Sequence, residues 1–270
     1  MNRSFYFIKV APFILLSIIL ISCQKNGTIE KLINKNGNIL IQFTHLNNGN
    51  PILFDTMIYM TSVGNQYMIN DLQYFISGFQ VHKAQDKWIQ IGSDKGIHYV
   101  DRQDKSTFLW KVTDGFPPGA YDSVSFIFGL DAANNISFRF PDPPERDMFW
   151  PEILGGGYHY MKMDLKWKNN SMTNPMPFMF HLGIGQMYKG DSTNTDSIIG
   201  YIQNYFTVKS YSSFVIKENQ LSKISLIMHI EKWFDSQNAF DFSDYPMGIM
   251  QNQLGIYRAC MNGRSAFEIK

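Results

Sequence analysis

Cysteine is scarce in this chain, with two in 270 residues, Cys23 and Cys260. A disulfide framework of the kind that staples small secreted domains is therefore excluded. Charge of one sign is missing too. The 24 Lys and Arg nearly cancel the 23 Asp and Glu and leave +1, so nothing steers nucleic acid or an anionic surface to it. No glycine loop cradles phosphate, because Gly155-Gly156-Gly157 precedes a strand-like stretch instead of opening a helix. The Gly-x-Ser-x-Gly elbow and the His-Glu-x-x-His pair are absent. Asp131, Asp147, Glu152 and Asp164 crowd the central third, yet no spacing picks out the carboxyl pair that glycoside hydrolysis needs. Asp131 and Asp147 read as turn formers or loop anchors. These absences favour a non-enzymatic protein.

No apolar run is long enough to span a membrane as a helix. Val10 to Ile21 is almost wholly apolar, but roughly a dozen residues fall short of a bilayer core of about 30 Å. Arg3 and Lys9 precede this run, and Leu20-Ile21-Ser22-Cys23 closes it. A basic head, a short apolar core and a small exit residue make a secretory signal. The Leu-x-Ser-Cys ending resembles a bacterial lipobox, which implies cleavage before Cys23 and lipidation of its thiol. The expected organisation is a signal peptide over 1–22, a lipidated cysteine and tether over 23–36, and one domain over 37–270. The partner at that end is a lipid bilayer, held through the Cys23 acyl chains, each buried methylene contributing about 0.8 kcal/mol. The expected location is the cell envelope, with the domain in the periplasm or at the cell surface. With Cys23 lipidated, Cys260 stands alone and reads as a buried structural thiol.

What the chain has in abundance is aromatic residues: 22 Phe, 14 Tyr and 5 Trp. These favour strands and fill cores. Period-two alternation over Asn38–His45 puts Ile39, Ile41, Phe43 and His45 on one face. Phe75, Ser77, Phe79 and Val81 alternate likewise, and Ile224, Leu226, Met228 and Ile230 should point inward from Lys223–Ile230. Long core strands are expected over Tyr158–Lys168 and Phe178–Gly185. One terminal helix is expected, capped by Ser243 or Asp244, with Pro246 in its first turn and Asn262-Gly263 at its end. The fold class is all-β, an antiparallel β-sandwich with one C-terminal helix.

Six histidines carry what chemistry is legible. Parity puts His82 and His229 on polar faces. His159 shares a face with Met161 and Met163, and His181 shares one with Met179, Gly183 and Gly185. Inward imidazoles need partners, because an unpaired buried polar group costs about 1–3 kcal/mol. Imidazole with thioether suits copper first and zinc second. Bonding of each ring to a carbonyl or carboxylate inside the fold is the competing reading. Another alternative is a protein- or carbohydrate-binding module that uses Phe149, Trp150 and Tyr158 as an exposed aromatic patch.

The segments Leu72–Ser77, His98-Tyr99-Val100-Asp101, Phe128-Gly129-Leu130-Asp131, Met148-Phe149-Trp150-Pro151, Gly155–Lys162 and Phe180-His181-Leu182-Gly183 together resemble the MbnP-like family of bacterial periplasmic proteins. The resemblance is to the branch found in Bacteroidetes lipoproteins. It covers about Phe43 to Phe267 and implies a β-sandwich that handles copper. It also implies a di-haem periplasmic partner, since better-known relatives partner an enzyme that oxidises a Trp to kynurenine. His181 and His98 match recurring family positions, His159 belongs to this branch, and Trp150 matches a recurring Trp. The metal set implied is His181, His98 and His159, with Trp150 as the modified or stacking aromatic. Asn135 stands where copper-handling relatives often carry a His, so one imidazole of the family pattern is missing.

Overall fold

The computed structural model describes residues 36–92, 96–192 and 194–270. The signal peptide, Cys23 and all of the tether but Asn36 lie outside the described residues. In chain order the strands are β1 (Gly37–Asn47), β2 (Asn50–Pro51), β3 (Tyr59–Met60), β4 (Gln66–Lys83), β5 (Trp88–Gln90), β6 (His98–Asp101), β7 (Leu109–Phe116) and β8 (Gly119–Phe128). Then follow β9 (Met161–Lys168), β10 (Met176–Leu182), β11 (Gly185–Tyr188), β12 (Ile198–Ile202), β13 (Phe206–Ile216), β14 (Leu221–His229), the helix α1 (Gln253–Gly263) and β15 (Phe267–Ile269).

Two main sheets face each other, as the sandwich reading requires. In the first, β1 is the hub. It pairs antiparallel with β7 and β2, and parallel with β14, which also carries β15. That parallel pair departs from an all-antiparallel sandwich, because β1 and β14 are joined by most of the chain and not by a hairpin. The alternation in β1 is complete, and Ile39, Ile41, Phe43 and His45 are all buried. Ile224, Leu226, Met228 and Ile230 are buried as their spacing predicts.

The second sheet is organised by β4, which is 18 residues long. Its first half pairs with β9 and its second half with β8. Both partners lie across β4 from β6, because Tyr74 is opposite both Met161 and Val100, and Ile76 opposite both Phe128 and His98. The sheet therefore forks at Phe75, whose N–H donates to Tyr160 O while its carbonyl accepts from Gly129 N. β10 extends the β9 arm, and β13 the β8 arm.

Aromatic rings fill the space between the sheets. Phe128 from β8 meets Trp233 at 4.9 Å, Phe206 at 5.0 Å and Phe267 from the opposite sheet at 5.7 Å. Phe43 meets Tyr74 across the same gap at 6.5 Å. Each such side chain, fully buried, contributes about 1.5–3 kcal/mol from area alone, and edge-on or offset pairs add about 0.5–1.5 kcal/mol.

Three further sequence expectations change. The helix begins at Gln253, capped by Asn252, whose side chain accepts from Gly255 N at 2.9 Å. The Ser243–Asp244 stretch forms only a 3-10 turn capped by Asp241, since Gly248 at φ +145° interrupts the chain in between. The helix does end at Gly263, and Cys260 is buried on it. Second, β9 starts at Met161, so Tyr158 and His159 precede it. Third, β10 stops at Leu182 and a separate strand, β11, pairs with β12 from Gly185.

Phe128→Ala should lower unfolding stability by about 3–5 kcal/mol, because it empties the contact between the sheets. Urea unfolding measures this, and a loss under about 1 kcal/mol would contradict the packing described.

Candidate metal centre

The site is built on the face of the β9–β10 arm that turns away from the aromatic core. Phe178, Phe180 and Leu182 of β10 point into the core, so strict alternation sends His181 to the other face. Asp164 of β9, half-buried, accepts from His181 Nε2 at 2.8 Å. A face turned from the core would ordinarily meet water, yet His181 is only 7% exposed. The preceding segment covers it.

That cover is a short clasp in which residues 148–150 run antiparallel to 157–159. His159 N donates to Met148 O at 2.7 Å, Trp150 N to Gly157 O at 2.8 Å, and Phe149 bridges Tyr158. The turn of the clasp needs glycine. Gly157 sits at φ +78°, and a Cβ there would lie 2.4 Å from Asn135 Oδ1. Asn135 Oδ1 also accepts from Tyr158 N at 2.8 Å. Trp150 is fully buried; its Nε1 donates to Leu154 O at 3.1 Å. Gln186 Nε2 donates to the same carbonyl at 2.8 Å. The ring fits because Gly183 has no side chain; a Cβ there would stand 2.6 Å from it.

The clasp brings His159 onto His181. The two rings are edge-on, with centroids 5.1 Å apart, and Trp150 closes the other side of His159 at 4.6 Å. His159 Nδ1 donates to Met148 O at 2.9 Å. A carbonyl only accepts, so that nitrogen carries the proton and Nε2 carries the lone pair. His181 Nε2 likewise donates to the Asp164 carboxylate, which leaves its lone pair on Nδ1. These tautomers are assigned from the hydrogen-bond network. The two lone-pair nitrogens, His159 Nε2 and His181 Nδ1, are both buried and have no hydrogen-bond partner among the described residues. An outer acceptor fixing one nitrogen while the other stays free is the arrangement of metal-ligating histidine.

Burial keeps His159 neutral. Desolvation first, then the neighbouring His181, lowers its pKa to about 3. Asp164 is held below the ordinary carboxylate range, chiefly by the hydrogen bond from His181. The centroid spacing lies within what two imidazoles sharing one ion can cover with metal–nitrogen bonds of about 2 Å. Among the described residues no three His, Cys, Asp or Glu side chains converge as a metal cage.

The remaining sequence candidates separate. His98 is stacked between Phe43 at 5.0 Å and Trp110 at 4.8 Å, and its Nε2 donates to Thr107 O at 2.7 Å. It shares no ring contact with the His159–His181 pair. Met161 and Met163 are buried in the core, on the opposite face of β9 from Asp164, so their thioethers do not accompany the imidazoles. His159 was expected on their strand face, but it lies before the strand starts. His82 is bonded to Asp122 at 2.7 Å. His229 is half-buried against Glu268 at 3.0 Å, so its face is less open than parity suggests. The aromatic patch is absent as composed, because Trp150 and Tyr158 are buried. The carboxylates are engaged locally: Asp131 with Asn134, and Asp147 with Arg146. Gln186 and the Met148 carbonyl went unnoticed in the sequence, and a main-chain oxygen leaves no residue-type signal at all.

A family model described as MbnP matches residues 36–251. Among solved structures, MbnP from Methylosinus trichosporium is similar, with a TM-score of 0.52 and 14% identity. The match covers 87% of this chain and 98% of that one. No curated protein matches.

His159 at about 3 and His45, lowered by burial to about 4, set an acid limit. Both are depressed from the unfolded value of about 6.5. Below that value the unfolded chain takes up protons that the folded chain refuses, so stability falls as pH drops from about 6.5 towards 4. Urea midpoints at pH 7 and pH 4.5 should show this fall, and His159→Asn should flatten part of it.

Proposed function

The chain belongs to the MbnP family, and on that premise we propose that it is a copper-handling protein, non-enzymatic, which holds the ion between His159 and His181. The observation that carries this reading is the pair of buried lone-pair nitrogens, His159 Nε2 and His181 Nδ1, with no donor facing either among the described residues. Two such atoms left bare cost about 1–3 kcal/mol each; an ion shared between them removes that cost. Imidazole nitrogen suits copper. Zinc takes four donors in structural sites and three protein donors in catalytic ones, so a two-imidazole set favours copper over zinc.

The chain's own residues orient and insulate the site. Asp164 and the Met148 carbonyl fix the tautomers, and Trp150 walls off His159. Asn135, at the position where relatives often bring a third imidazole, holds the Tyr158 backbone instead. The copper reading extends to location and partner. Cys23 would tether the domain to an envelope membrane, and a di-haem protein would be its partner. Trp150 is the aromatic such a partner would modify, since it packs against His159. Intact mass of protein from the native host tests that modification, and an unmodified mass removes it.

Titration of Cu(I) in competition with a chromophoric chelator tests the metal assignment. About one equivalent should bind, and the double variant His159→Ala/His181→Ala should bind none. Asp164→Asn should lower affinity about 10–100-fold through the outer shell. Stoichiometry near zero, or unchanged binding in the double variant, would refute it.

A further inference from the structure

A cavity of about 540 Å³ opens between β1, residues 51–54 and the turn after β6. That is within the roughly 300–1,000 Å³ typical of small-molecule sites. Phe43, Ile52, Phe54 and Phe108 supply apolar walls. His45 lines it while only 5% exposed. Its Nε2 lies 3.1 Å from the hydroxyl of buried Tyr74. No other acceptor reaches that hydroxyl among the described residues, so Tyr74 donates its proton to Nε2. The proton of the neutral ring then sits on Nδ1, which has no partner among the described residues.

The charged residues that line this cavity have one sign. Arg102 and Lys105 line it, and none of the described lining residues is Asp or Glu. Arg102 stacks over Phe54 at 4.6 Å and is already paired with two carboxylates, Asp55 at 3.0 Å and Asp71 at 3.8 Å. Lys105 forms no ion pair among the described residues. The nearby Asp104 is engaged with Ser106 N at 2.9 Å.

We propose that this cavity is a binding site for a small carboxylate with an apolar body, its head group met by Lys105 and the His45 Nδ1–H and its body lying against Phe43, Phe54 and Phe108. The His45 N–H, the Lys105 ammonium and the Arg102 guanidinium accept nothing, while the lining Gln42, Thr44 and Gln103 can adapt as donors or acceptors. An alcohol of the same shape would bring no charge to the ammonium, and an alkylammonium would be repelled by it. Burial of His45, which keeps the ring neutral, agrees with a donor role that needs no proton from solvent. The site is separate from the His159–His181 pair and does not depend on copper.

Calorimetric titration of the full chain with octanoate, octan-1-ol and octylamine, each below micelle formation, tests the proposal. Octanoate should saturate one site and bind at least about tenfold more tightly than octan-1-ol, and octylamine should not saturate. Lys105→Glu, an exposed change that should leave the thermal midpoint in place, should weaken octanoate by about tenfold or more. His45→Gln, checked for folding by the same midpoint, should weaken it as well. Equal binding of acid and alcohol, no saturation by octanoate up to millimolar concentration, or wild-type affinity in Lys105→Glu would overturn it.

Discussion

The aromatic layer between the two sheets is the constraint on which the rest depends. Phe128 stands at its centre, touching rings from both sheets and from the segment that carries Trp233. With no disulfide among the described residues to restrain the unfolded chain, burial must offset the ordering entropy of the whole domain. Large rigid rings suit that task, since they bury much area for few rotatable bonds. Strand direction, the fork at Phe75 and the inward parity of β10 all follow from getting these rings inside.

The His159–His181 pair is a by-product of that parity. Once Phe178, Phe180 and Leu182 face the core, His181 must face away. Asp164 shares its face on β9 and meets it. What makes the position chemically unusual is the clasp laid over it, which takes a solvent-facing imidazole and buries it. The same clasp delivers His159 and Trp150. Glycines at 157 and 183 permit the close approach; larger residues would collide with Asn135 and Trp150.

Much of this was legible in the sequence, and the limits have physical reasons. Alternation identified the inward faces of β1 and β14 because each buries chiefly one face, Ile227 being the buried exception in β14. The family resemblance, carried by short segments in order, matched the fold and pointed to His181, His98, His159 and Trp150, of which His98 lies apart, stacked between Phe43 and Trp110. Periodicity failed at His159, since a residue just outside a strand obeys no strand parity. It also failed for Met161 and Met163: their sulfurs are buried, as expected, but on the wrong side of β9 to join the imidazoles. The helix start was misplaced because Asn252, a good cap, lies beyond the equally good capping pattern at Asp241–Asp244. A parallel β1–β14 pair leaves no local trace, because its register is set by residues far apart in the chain.

The two faces of the β9–β10 arm therefore answer to different pressures. One face holds the fold, and its residues are constrained by every ring they touch. The other holds the imidazoles through a few hydrogen bonds and a clasp made mostly of main chain. Substitutions on this second face leave the core contacts intact, so descendants of such a chain are free to gain, retune or lose a ligand without losing the scaffold. Asn135, an amide whose oxygen accepts from the Tyr158 backbone, sits at the turn of the clasp where such a change would act.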